Sequence, residues 1–73
     1  MKTEKGVSIP EDFAHALKNN PALLAVLERM RPSCQREYVA WINAAKEPTA
    51  RSPRIASVLV KIADWGARHK LLP

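Results

Sequence analysis

Apolar residues in this chain recur every three or four positions, and prolines at 10, 21, 32, 48 and 53 cut that pattern into short pieces. This combination admits short helices and little else. Sustained polar–apolar alternation would mark a half-buried strand, and none is present. Nor is there an Asn-Gly or Asp-Gly pair to close a hairpin. Proline fixes its own φ, lacks a backbone N–H and pushes the preceding residue out of the α region. It therefore marks a helix's first turn or its end.

Ser8-Ile9-Pro10-Glu11 has the form of a capping box, with Pro10 suited to a first turn. Phe13, Ala16 and Leu17 then repeat at helical spacing, which predicts a first helix over 9–18. Asn20-Pro21 is a second start signal. Leu23, Val26, Leu27 and Met30 form the stripe of a helix over 21–30, which Pro32 ends. Ser33 is placed to cap a third helix over 33–46. Its apolar face is read as Cys34, Tyr38, Trp41, Ile42 and Ala45, and Lys46 complements the dipole at its end.

Residues 47–53 hold two prolines and no apolar side chain larger than alanine, and read as a connector. Ser52-Pro53 repeats the start signal. Ile55, Val58, Leu59 and Ile62 stripe a fourth helix over 53–65, with Trp65 on its edge and Gly66 as the stop. Residues 1–8 read as a flexible N-terminus, and 67–73 as a basic C-terminal tail whose Leu71 and Leu72 can fold back. The expected fold is all-α: a compact bundle of four short helices forming a single domain over 9–66. Helices this short do not stand alone in water, so their stripes must cover one another.

The chain is 73 residues long and carries a net charge of +5. A domain of this size has a thin core and little room for a deep substrate cleft. The charge is uneven: residues 1–31 have five cations against four anions, and residues 32–73 have seven against three. Such an excess favours anionic partners or simply keeps a small domain soluble. The single cysteine, Cys34, forms no intrachain disulfide and suits a reducing compartment. The N-terminus has no apolar run of the signal-peptide kind, and no segment approaches the length of a membrane span. The expected location is cytoplasmic.

Residues able to carry catalysis are scarce. His15 and His69 read as surface residues, and Cys34 as a small buried hydrophobe with no histidine near it in sequence. No metal-ligand spacing and no glycine-rich phosphate loop occurs, so no catalytic, metal or cofactor site is assigned. The large aromatics Tyr38, Trp41 and Trp65 could stack bases, but a thin core needs them, and Trp41 in particular is expected inside. Arg51 and Arg54 fall just before and within the first turn of the fourth helix, where cations oppose the macrodipole. Either a bound anion offsets that cost, or a salt bridge to Glu47 or Glu37 does. A helix-turn-helix fits poorly, because the join between the last two helices is long and holds two prolines.

Ile9-Pro10, Ala16-Leu17, Asn20-Pro21, the run from Arg36 to Lys46 (REYVAWINAAK) and the entry into Arg54-Ile55 occur in that order. In these features the chain resembles the YdeI/OmpD-associated, or bacteriocin-protection, family. The most specific element is the run containing Tyr38, Trp41, Ile42, Ala45 and Lys46. The resemblance implies a small helical domain, often the C-terminal part of a longer protein, associated with an outer-membrane porin and with resistance to bacteriocins or cationic antimicrobial peptides. It brings no catalytic residues. The family's connector usually reads threonine-arginine-x-arginine-arginine-isoleucine; here Ala50 removes the hydroxyl and Pro53 one cation.

The sequence thus leads to a non-enzymatic binding or adaptor domain with a protein partner. Its candidate surface is Arg36, Lys46, Arg51 and Arg54. The alternative is a small nucleic-acid-binding domain that uses the same cations.

Overall fold

The computed structural model describes residues 1–72. Pro73, the last residue of the expected basic tail, lies outside them. The described residues form four helices: α1 (Glu11–Lys18), α2 (Pro21–Arg29), α3 (Pro32–Ala44) and α4 (Pro48–Arg68). The all-α fold expected from the sequence is the one observed.

Proline places the starts. Pro21, Pro32 and Pro48 each occupy the first helical position, where the missing N–H would have no partner in any case. The residue before each lies outside the α region, as at Arg31 (ψ 146°) and Glu47 (ψ 142°). Three start signals read from the sequence fall elsewhere. The residue flanking α1 is Pro10 rather than Ser8, α3 opens at Pro32 behind Arg31 rather than behind Ser33, and α4 opens at Pro48 rather than Pro53. The expected connector over 47–53 is therefore largely helix. Pro53 lies inside α4 as an exposed residue, and its ring leaves the Thr49 carbonyl without its i+4 donor.

Phe13, Leu17, Leu27, Met30, Ile42, Val58 and Ile62 fill the core, with Val26 and Ile55 beside them. α4 packs on both α2 and α3, and α1 packs on α2. The core reading of α1, α2 and α4 holds, but that of α3 is rotated. Gln35 and Ile42 are buried and Tyr38 and Val39 half-buried, whereas Cys34 and Trp41 are exposed. The buried face is thus 35, 38, 39 and 42, an i, i+3, i+4, i+7 set with a glutamine at its head.

That glutamine closes a polar hub. Gln35 Nε2 donates to the Leu27 carbonyl at 2.7 Å and to the Met30 carbonyl at 3.3 Å, at the end of α2. Its Oε1 accepts from the Thr3 hydroxyl at 2.8 Å, and the same hydroxyl oxygen accepts the Val7 N–H. Residues 1–8 are therefore not a flexible terminus. They form a closed turn with Lys2 opposite Ser8, Gly6 at φ +86°, and Thr3 and Val7 buried. Lys5 Nζ reaches the Glu28 and Met30 carbonyls at 2.8 Å each and covers the open end of α2.

Gly66 is not a stop but a point of close approach within α4. A Cβ there would meet Val26 Cγ2 at 2.9 Å and Leu72 Cδ1 at 3.0 Å. The helix ends two residues later. The Leu71 N–H bonds to the Gly66 carbonyl and the Lys70 N–H to the Ala67 carbonyl, with Lys70 at φ 58°. This is a Schellman closure with a lysine where glycine is usual. It turns Leu71 and Leu72 back onto the core, as the sequence suggests.

Candidate binding surface

α3 and α4 run antiparallel, joined by the tight turn 45–47. A helix leaves its last carbonyls without intrahelical donors and collects partial negative charge there. The end of α3 meets this with three cations. Arg54 donates from Nη1 to the Trp41 carbonyl at 2.7 Å, and Arg51 Nη1 to the Ile42 and Ala45 carbonyls at 3.2 and 3.1 Å. Lys46 Nζ lies 3.4 Å from the Asn43 carbonyl. The opposed-dipole cost expected at the start of α4 is thus offset by the end of α3.

Arg51 is engaged on all sides. Its Nε and Nη2 form a fork on Asp12 at 2.8 and 3.1 Å, and Nη2 also reaches Asn43 Oδ1 at 3.2 Å. With the two carbonyls, each of its five N–H donors has an acceptor. Its partner is Asp12 of α1, neither Glu47 nor Glu37 as the sequence suggested. The hydrogen bond from Arg51 holds the Asp12 carboxyl below its ordinary value, against a smaller opposing effect of partial burial. Asp12 in turn raises the pKa of Arg51.

Of the four cations singled out from the sequence, Lys46, Arg51 and Arg54 converge on the end of α3. Arg51 is internally satisfied, and Lys46 is exposed beside its carbonyl. Arg36 stands apart, exposed on α3. What the sequence reading missed is Trp41. It is 40% exposed, the Arg54 guanidinium carbon lies 5.2 Å from its ring centroid, and Lys61 Nζ lies 4.8 Å from it. A cation over an indole face is attracted by the ring quadrupole, by about 0.5–1 kcal/mol at exposed sites. Arg54 and Lys61 are seven residues apart, and Arg68 continues the row. Because α4 continues to Arg68, the three share one face. Arg68 pairs with Asp64 at 3.2 Å, and partial burial raises the Tyr38 phenol above its ordinary value against a smaller lowering by Arg68.

At the far end of the hairpin, Met30, Arg31, Cys34, Trp65 and His69 line a hollow. The fold thus brings Cys34 and His69 to one place although they are distant in sequence. His69 stacks on Trp65 at 3.9 Å between centroids, and its Nδ1, 2.8 Å from the Trp65 carbonyl, must carry the proton of that bond. Among the described residues no three His, Cys, Asp or Glu side chains gather as a metal site, and no helix is long and apolar enough to cross a membrane.

Trp41, Arg54 and Lys61 of the aromatic–cation strip lie within a stretch that matches a known family, and Arg68 lies beyond it. Residues 7–64 match the family described as bacteriocin-protection, YdeI or OmpD-associated. The chain belongs to this family. A curated relative, the uncharacterized protein YdeI of Bacillus subtilis (strain 168), is 31% identical over 58 residues, which cover 80% of this chain. The match takes in 29% of that protein's length, so the chain corresponds to less than a third of this relative. No solved structure matches it. The family stretch contains Asp12, Trp41, Arg51, Arg54 and Lys61. It leaves out most of the N-terminal turn and everything after residue 64, including Arg68 and the whole Schellman closure.

Proposed function

We propose that this YdeI/OmpD-associated domain is a non-enzymatic binding module that docks a protein partner on the α3–α4 face. The observation that carries this reading is Trp41: a large indole left 40% exposed and held under the side chains of Arg54 and Lys61. Tryptophan and arginine are the residues that most often dominate binding energy at protein interfaces. Here the anchor is orientationally fixed before binding, which lowers the entropy cost of association. The surface shifts from the one expected from sequence. Arg54 stays, Lys61 and Trp41 join it, and Arg51 becomes the support that holds α3, α4 and α1 together.

The family's bacteriocin-protection label suggests that the docked partner belongs to a defence against bacteriocins or antimicrobial peptides, with the domain acting as an adaptor in the cytoplasm. A pull-down with the wild-type chain beside Trp41→Ala and Lys61→Ala variants, each checked for helicity by circular dichroism, tests the surface. Proteins retained by the wild type and lost from both folded variants are the expected result. Retention unchanged in both would show that this face is not the docking surface.

A further inference from the structure

The proposal concerns the chemistry of the partner and rests on the α3–α4 face being the docking surface. Arg54, Lys61 and Arg68 recur every seven residues along α4. At 1.5 Å per residue their Cα atoms are about 10.5 Å apart, on a face that drifts only slowly round the helix. Between the first two stands the exposed ring of Trp41. Arg54 is anchored but not saturated, with one hydrogen bond, to the Trp41 carbonyl. Among the described residues neither Arg54 nor Lys61 meets a carboxylate, and Arg68 holds only its exposed bridge to Asp64.

A surface of this kind has a complement. An amphipathic helix with carboxylates every seven residues repeats the same 10.5 Å interval, and an apolar side chain half-way between them covers the indole. We infer that the α3–α4 face accepts an acidic amphipathic helix laid along α4. Its carboxylates face Arg54, Lys61 and Arg68, and a large apolar residue covers Trp41. The distribution of anions favours a helix over a nucleic-acid strand. Asp64 lies between Lys61 and Arg68, and Glu37 lies one turn before Trp41 on α3. A continuous phosphate backbone would have to pass both, whereas a peptide helix places its carboxylates only where cations stand.

The test uses the full 73-residue chain, isotopically labelled, and two synthetic helical peptides of identical composition. One carries three glutamates at seven-residue spacing on a single face with a leucine between the first two. The other spreads the same glutamates round the helix. Two to three exposed ion pairs in register predict roughly tenfold tighter binding of the single-face peptide. Amide shifts should concentrate on residues 36–44 and 54–68, and Lys61→Ala should weaken the preference for the single-face peptide. Arg54→Ala is the stronger perturbation but also strips a cap from α3, so the exposed Lys61, which caps no helix, provides the variant that keeps the fold. Equal affinities on those same amides would overturn the helical register while leaving the docking surface standing. Shifts on another face would overturn both. Binding of oligothymidylate to the strip with no response to either peptide would overturn the acidic-helix partner in favour of nucleic acid.

Discussion

Arg51 and Gln35 perform the same task at opposite ends of α3, one with charge and the other without. Arg51 gathers the C-terminal carbonyls of α3 and the carboxylate of Asp12, while Gln35 gathers the C-terminal carbonyls of α2 and the Thr3 hydroxyl. The two residues predict different failures. Asp12 has a lower pKa folded than its ordinary 3.8, so the unfolded chain takes up its proton more readily. The contact therefore stabilises the fold above that ordinary value and is lost as pH falls through the lower folded one. Chemical denaturation from about pH 5 down to pH 2 should show wild type losing its advantage over Asp12→Asn as the pH drops. Gln35 gives no such pH dependence. Gln35→Leu leaves the Leu27 carbonyl with only the Met30 N–H and the Thr3 hydroxyl proton without an acceptor, and should cost roughly 1–3 kcal/mol by denaturant titration.

At the scale of elements, two helix features carry a local penalty that a single substitution should relieve. Pro53 interrupts α4 one turn inside its start. Pro53→Ala restores the donor to the Thr49 carbonyl and should stabilise the domain by roughly 1–2 kcal/mol, after the loss of proline's restriction of the unfolded chain. Lys70 sits at φ 58° in the Schellman closure. Lys70→Gly should add about 1 kcal/mol, read as a higher thermal midpoint.

The same elements show what the sequence made legible. Three of the four apolar stripes (Phe13/Leu17, Leu23/Val26/Leu27/Met30 and Ile55/Val58/Ile62) face the core as their periodicity implies. Two signals competed with others and misled. Ser52-Pro53 imitates a helix start as well as Glu47-Pro48 does, and only the carbonyls of α3 waiting for Arg51 and Arg54 favour the earlier one. On α3, Trp41 outweighs Gln35 on any hydrophobicity scale. The glutamine is nevertheless the buried residue, because two carbonyls and a hydroxyl await it there. Long-range hydrogen bonds of that kind leave no periodic trace. Arg54 and Lys61, seven residues apart, already share a face of the helix expected over 53–65, and Arg68 joins them because α4 runs on to Arg68.

At the scale of the molecule, the four helices are held by a small apolar core and by contacts that join distant parts of the chain. The largest separation among the side-chain bonds is Arg51 to Asp12, 39 residues apart. It also bridges three of the four helices, touching α1, the end of α3 and, through its own backbone, the first turns of α4. A contact of this reach requires α1, α3 and α4 to be seated before its geometry exists, so it belongs to the native side of the folding barrier. Its loss should therefore act on departure from the native state. In stopped-flow chevrons, Arg51→Ala should lift the unfolding limb by raising the unfolding rate, with the refolding limb nearly superimposed on that of wild type. The residue that looked like a hand held out to a partner then acts as a bolt, setting how long each molecule stays folded.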